Sequence, residues 1–218
     1  SYIDLLLTIS LNVYNPVYNR TQLNYINKII KNLKLIKQPE QRTPEWYEFR
    51  NNRLTASDLG TVIGVNPYEN YDSIIKKKCG FEKPFYMNKS ILKGIKYEDV
   101  IIQIYKYLHN VDVFEYGCIG HPNINHFGAS PDGIVDSNSQ NKNYIGRMLE
   151  IKCPSSREIT GFIPDYYLAQ VQGQLEVCNL DYCDFVECKI EEYNDIDEYF
   201  NDYLILNNYH LNSNKLFK

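Results

Sequence analysis

Apolar side chains recur at helical spacing through Leu23, Ile26, Ile29, Ile30, Leu33 and Ile36, while Lys28, Lys31, Lys34 and Lys37 fall on other faces. The pattern predicts an amphipathic helix over residues 21–37, stopped by Pro39. Pro44 suits the first turn of a second helix that carries Glu45, Trp46, Tyr47, Glu48 and Phe49. Ser57 is placed as the N-cap of a short helix through Ile63, after which Gly64 and Asn66-Pro67 break the chain. Further helices are expected over residues 71–79 and 90–109. The longer one turns Ile91, Ile95, Ile101, Ile104, Tyr105 and Leu108 inward and carries Glu98 and Asp99 at its middle.

The periodicity then changes. Val111, Val113, Ile134, Val135, Ile145, Leu149 and Ile151 fall in short runs between Gly, Pro, Asn and Ser clusters, the mark of strands and turns. The polar stretch 136–143 is expected as an exposed hairpin loop. A helix resumes near Pro164 and runs to Cys178, followed by a strand over residues 182–190 and a final helix from about Asp195. Several helices, three strands, a helix, a strand and a helix predict an α/β fold with a mixed sheet covered by helices on both faces.

Composition refines this picture only a little. A chain of 218 residues, 44% hydrophobic, can bury one substantial core, and no internal repeat divides it. Lys and Arg number 23 against 27 Asp and Glu, for a net charge of -4, so a broadly basic nucleic-acid coat is excluded and any such partner must be bound locally. The six cysteines include no C-x-x-C pair, which suggests reduced thiols and an intracellular setting. Cys118, His121 and His126 lack a fourth ligand for zinc. The apolar opening, residues 3–11, contains Asp4 and has no basic lead-in, so it makes a poor signal peptide; no segment has membrane-spanning length, and a soluble protein is expected. The chain starts at Ser1 rather than methionine, as a fragment or processed chain would.

Candidate chemistry lies in two short motifs. Ser130-Pro131-Asp132-Gly133 is on its own an ordinary turn. In Met148-Leu149-Glu150-Ile151-Lys152, strand alternation sends Glu150 and Lys152 to one face and Leu149 and Ile151 to the other. Alone, this is a solvated strand face with an ion pair. Together, a Pro-Asp at the start of one strand and an E-x-K on the next can meet across a hairpin, bringing two carboxylates and an ammonium together. Two carboxylates and the backbone carbonyl of Ile151 form an open oxygen site for a hard cation such as magnesium. Such a cation stabilises an anionic phosphodiester transition state and activates water, and Lys152 beside it would orient or deprotonate that water, with its pKa lowered by the cation.

Five stretches extend these motifs in order: TPEWYEFRNNRLTASDLGTVIG (43–64), GIKYEDV (94–100), ASPDGIV (129–135), LEIKCP (149–154) and YYLAQVQGQLEVC (166–178). They resemble the lambda exonuclease family, also called YqaJ-like viral recombinase nucleases, of the PD-(D/E)xK superfamily. The resemblance implies a restriction-endonuclease-like core over residues 41–218 and leaves residues 1–40 as an added N-terminal helical segment packed on it. It implies that Asp132, Glu150 and the Ile151 carbonyl bind one or two magnesium ions, with manganese able to substitute. Glu98 would support the metal or its waters, and Lys152 would act on the nucleophilic water. Gln170 would place that water or the scissile phosphate; its alternative role is a hydrogen bond that caps the sheet, on a helical face shared with Gln174 and Val177.

A second site is implied by the N-terminal match. Arg50 and Ser57 align with residues that hold the 5'-phosphate of the degraded strand, a role suited to a bidentate guanidinium and to a serine at a helix start. Arg53, one turn on, competes with Arg50. Trp46 is read as a packing residue. The function implied is 5'-to-3' exonucleolytic hydrolysis of double-stranded DNA ends in recombination or repair, with a homotrimer and a single-strand annealing protein as partners the family suggests. The alternatives are a structure-selective endonuclease and an inactive DNA-binding module.

Overall fold

A computed structural model describes residues 8–10, 17–81, 89–154, 157–190, 192–198 and 200. The first helix, α1 (Arg20–Leu35), begins at Asn19, whose side chain accepts from Gln22 N while Gln22 reaches back to the Asn19 N–H. This reciprocal cap satisfies two otherwise unpaired donors. Ile26, Ile30 and Leu33 form its buried stripe, and Ile26 and Ile30 pack with Ile145. Ahead of it, β1 (Thr8–Ser10) lies along an edge of the main sheet, an element that helical periodicity had no means to announce. Thr43 and Pro44 open α2 (Pro44–Asn51) as a cap and first-turn residue should.

After β2 (Leu54–Thr55) comes a 3-10 turn, Ala56–Asp58, and then α3 (Leu59–Val62). The expected N-cap at Ser57 is corrected here. Thr55 caps the turn through Asp58, and Ser57 sits inside the first turn. Helix α4 (Tyr71–Lys78) precedes α5 (Lys89–His109). The inward stripe of α5 is Tyr97, Ile101, Ile102 and Tyr105, whereas Leu108, expected inward, is half exposed.

Two sheets follow instead of three central strands. The larger has the order β1-β8-β7-β6-β3, with β3 (Val113–Phe114), β6 (Gly133–Val135), β7 (Met148–Lys152) and β8 (Cys183–Glu187). Strand β7 runs antiparallel to β6 and parallel to β8. The smaller sheet joins β2, β5 (Phe127–Ala129) and β4 (Ile119–Gly120). Strands of two or three residues are too short to show alternation. Helix α6 (Asp165–Cys178) ends at Asn179, which takes a left-handed conformation. Residues 196–198 and 200 are helical, and the remainder of the expected final helix lies outside the described residues.

Alternation along the central strands divides the core. Ile134, Met148 and Phe185 face the layer that contains α6, with Val171 and Val177. Val135, Leu149, Ile151 and Val186 face Tyr97, Ile101 and Tyr105 of α5. Helices on both faces of a mixed sheet are the architecture that the order of elements implies. The segment expected as an exposed loop is instead tied down, with Asp136 and Ser139 buried. Lys34 Nζ donates to Asp136 Oδ1 at 2.7 Å, Asp112 N donates to Ser139 Oγ at 2.9 Å, and Asn141 Nδ2 donates to the His109 carbonyl at 3.1 Å. Its polar composition answers these partners, not water.

Candidate active site

The Pro-Asp and E-x-K motifs meet where β6 and β7 begin to part. Gly133 pairs with Leu149 and Ile134 with Met148, so Asp132 is the next residue in register and lies beside Glu150. Asp132 N donates to the Leu149 carbonyl at 3.2 Å, and Asp132 Oδ2 accepts from Ile151 N at 2.6 Å. Within a strand the N–H and C=O of one residue point to the same neighbour. The Lys152 carbonyl accepts from Cys188 N on the β8 side at 2.9 Å, so Ile151 presents its own carbonyl on the opposite side, beside Asp132.

Glu150, almost fully buried, is held from three directions. Gln170 Nε2 donates to Oε1 at 2.7 Å, Gln174 Nε2 donates to Oε2 at 2.6 Å, and Lys152 Nζ pairs with Oε1. Gln170 and Gln174 share one face of α6 a helical turn apart, which lets both reach the same carboxylate. Gln170 therefore bonds to the acid of the E-x-K motif rather than to the sheet backbone. Gln174 was legible only as its neighbour on that face, and nothing in A-Q-V-Q-G-Q marks it as the more buried of the two.

The electrostatics of the cluster are those of acids short of positive charge. Burial, then Glu150 and Glu98, push the Asp132 carboxyl well above the usual carboxylate range, despite Lys152 and the Ile151 N–H. Burial also raises Glu98, against the pull of Arg42, whose Nη2 donates to Glu98 Oε2 at 2.6 Å. Burial of Lys152 favours its neutral form, yet Glu150 and Asp132 outweigh this and raise its pKa. In the protein alone the lysine is thus the counter-ion of the two acids. A lowered Lys152 pKa needs a second positive charge beside them.

That donor set fits a hard divalent cation. Among the described residues no three His, Cys, Asp or Glu side chains are gathered to hold a metal by themselves. Two carboxylates and the Ile151 carbonyl supply three oxygens and leave the rest to water and substrate, as magnesium prefers. Glu98 is near enough to act electrostatically on Asp132 but is occupied by Arg42.

Next to this cluster, Arg50 Nη2 donates to Ser57 Oγ at 3.0 Å and Nη1 to Ser130 Oγ at 3.3 Å. The guanidinium lies over the Trp46 ring at 4.3 Å, and Trp46 Nε1 also reaches Ser130 Oγ, at 3.3 Å. The tryptophan packs, as expected, but what it packs is the arginine. Arg53 turns away, stacked on Phe49 and bonded to the Phe49 carbonyl. Because Ser57 is in a short turn, its contribution is a hydroxyl, not a helix dipole. The Ser130 carbonyl accepts from Gln174 at 3.4 Å, so one hydrogen-bonded chain runs from Ser57 through Arg50, Ser130 and Gln174 to Glu150. Ser130 was hidden in its motif as a turn residue.

Elsewhere, His121 Nδ1 accepts from Asn123 N and Ile124 N, so this histidine closes a turn. No helix among the described residues is long and apolar enough to cross a membrane.

A mixed sheet with helices on both faces, a Pro-Asp strand beside an E-x-K strand, and a glutamine-bearing helix over them together define the PD-(D/E)xK superfamily. Within it the chain belongs to the YqaJ-like viral recombinase domain family, which matches residues 45–181. The chain is 37% identical over 196 residues to uncharacterized protein R354 of Acanthamoeba polyphaga mimivirus, covering 85% of this chain and 36% of that protein. It is 27% identical over 165 residues to protein D345L of African swine fever virus, covering 63% of this chain and 46% of that one. The chain thus spans less than half the length of either viral relative. A crystal structure of the alkaline exonuclease LHK-Exo from Laribacter hongkongensis superposes with a TM-score of 0.54 at 30% identity, covering 66% of this chain and 73% of that one. LHK-Exo in complex with dAMP superposes with a TM-score of 0.56 at 26% identity, covering 72% and 78%.

Proposed function

We propose that this chain is a divalent-cation-dependent deoxyribonuclease that degrades double-stranded DNA from its ends in the 5'-to-3' direction, in recombination or repair. Residues 41–218 would form the nuclease domain, and residues 1–40 an extension packed on it. The observation that carries this reading is the hydrogen-bonded chain from Ser57 and Arg50 to Glu150. It joins an arginine to a cluster of two acids and a lysine, which supports an enzyme that grips the phosphate of a strand end and cuts the next phosphodiester. The similarity to structures of an alkaline exonuclease supports the same class.

Magnesium, or manganese in its place, would be held by Asp132, Glu150 and the Ile151 carbonyl and would supply Lewis-acid stabilisation and an activated water. Gln170 and Gln174 fix both oxygens of Glu150 so that its orientation survives substrate entry. Lys152, at the edge of the cluster, orients the attacking water and exchanges a proton with it. Glu98 is released from Arg42 when it serves the site. Arg50 and the Ser57 and Ser130 hydroxyls take the terminal 5'-phosphate, with bidentate guanidinium geometry. A homotrimer around the duplex and a single-strand annealing protein are the partners this reading suggests.

Digestion of linear duplexes carrying 5'-phosphate or 5'-hydroxyl ends, beside covalently closed circles, tests this reading. Magnesium-dependent loss of the linear substrates, fastest with 5'-phosphate, is expected. Cleavage of the circles would show an endonuclease, and binding without cleavage an inactive module.

A further inference from the structure

Arg42 stands just ahead of the stretch that matches the family, in the segment that joins α1 to α2. That segment is fastened to the body of the protein before it reaches Arg42. Gln38 Oε1 accepts from Gly117 N at 2.8 Å, and Gln41 Nε2 donates to the Tyr116 carbonyl at 2.8 Å. Between them the chain lies directly on the backbone of residue 117, where a Cβ would stand 1.9 Å from the Pro39 carbonyl oxygen. The Glu40 carbonyl then accepts from Thr43 N at 3.4 Å and from the Thr43 hydroxyl at 2.7 Å, closing a turn with Arg42 at its third position.

Arginine sits there against local preference. Its φ of 67° is left-handed, a conformation that glycine takes without strain and a long side chain does not. Such strain persists where the surroundings impose it. What the turn achieves is the aim of the side chain: Arg42 Nη2 donates to Glu98 Oε2 at 2.6 Å. The backbone is pinned but the side chain is 39% exposed, so the guanidinium is able to leave Glu98 for water without undoing the turn.

Glu98 faces Asp99, Glu115 and Glu150 as well as Arg42, and its charge acts in turn on Asp132. Asp132, Glu150 and Glu98 thus have Lys152 and Arg42 as cationic partners. Lys152 belongs to β7, whereas Arg42 reaches in from a turn at the surface. A positive charge tethered beside acids that hold a cation opposes the binding of that cation, and it occupies an oxygen that would otherwise serve it. An ordinary surface ion pair needs neither a strained turn nor an acid set among other acids.

We infer that Arg42 competes with the divalent cation for Glu98, so that the segment ahead of α2 sets the metal concentration at which the site fills. This rests on the cation-dependent reading above and adds a built-in threshold to it. Charge is what the guanidinium contributes, so a lysine at position 42 keeps the threshold and an uncharged residue lowers it.

The test is equilibrium binding of Mn2+ to the protein without DNA, with free Mn2+ read by electron paramagnetic resonance. Arg42→Gly, which removes the charge and suits the left-handed turn, should bind Mn2+ about ten-fold more tightly than the parent. Arg42→Lys should stay close to the parent. In a Glu98→Gln background, Arg42→Gly should bring no gain, because the contested carboxylate is gone. Equal or weaker binding by Arg42→Gly, or a gain that persists in the Glu98→Gln background, would overturn the competition. The expected gain in a protein that cuts no DNA with Mn2+ supports the competition and removes only the nuclease reading. Cutting by a parent that binds Mn2+ as tightly as Arg42→Gly does the reverse.

Discussion

Gln174 donates its side-chain amide to Glu150 Oε2 at 2.6 Å, in a position where both side chains are about 1% exposed. A buried carboxylate left without one of its donors keeps the desolvation cost and loses the compensation. Gln174→Leu should therefore lower stability by about 2 kcal/mol, read from urea unfolding, and also reduce cleavage. Gln170, half-buried, binds the other oxygen. Gln170→Ala should reduce cleavage at least as much with an unfolding change under about 1 kcal/mol. Equal stability losses in the two variants would contradict this division of roles.

Arg50 is held by Ser57, Ser130 and the Trp46 ring, and the proposed function gives it the terminal 5'-phosphate. Arg50→Ala should lower the rate on 5'-phosphorylated ends roughly ten-fold, close to the rate on 5'-hydroxyl ends, since a charge-assisted contact of ordinary strength is lost. Arg53→Ala should leave the ratio of the two rates intact. An Arg50→Ala enzyme that still distinguishes the ends would move the phosphate site elsewhere.

Asp58 anchors the turn that carries Ser57. Burial alone would raise its pKa, but the Thr55 N–H and hydroxyl, with Lys78 and Lys77, outweigh it and lower the pKa overall. A carboxyl whose folded pKa lies below its unfolded value of about 3.9 stabilises the fold above that pH and loses the effect as pH falls through the lower folded value. Asp58→Asn should cost about 2 kcal/mol at pH 7, and the gap to the parent should close on acidification below about pH 4. A gap that persists undiminished at low pH would show that the charge is irrelevant.

Gly60 is where α3 meets the backbone of α6. An added Cβ would stand 2.8 Å from Tyr166 Cα, an atom that cannot rotate away. Gly60→Ala should destabilise the fold by about 2 kcal/mol in thermal or urea unfolding, as overpacking does. An unchanged midpoint would mean the two helices are free to separate.

The long amphipathic stretches were legible because burial of one face imposes its period on the chain, as with Ile26, Ile30 and Leu33 in α1. The E-x-K strand was legible for the same reason: Leu149 and Ile151 go to one layer, leaving Glu150 and Lys152 on the other face. The smaller sheet was not, since Leu54–Thr55 and Ile119–Gly120 are too brief to carry a period and exist through pairing with Phe127–Ala129. Polar residues were the other blind spot. Asp136 and Ser139 read as loop surface, and their burial depends on Lys34 and Asp112, far away in sequence. Gln174 and Ser130 likewise take their importance from partners that only the fold supplies.

The convergence of Asp132, Glu150 and Lys152 on one cation-binding centre is tested most directly by phosphodiester cleavage of a 5'-phosphorylated linear duplex, followed over a magnesium titration for the parent and Lys152→Ala. The account predicts cleavage by the parent that rises with magnesium and stops in EDTA, and a loss of at least about a hundred-fold in a folded Lys152→Ala enzyme. A parent that cleaves in EDTA, or a Lys152→Ala variant as active as the parent, would contradict it.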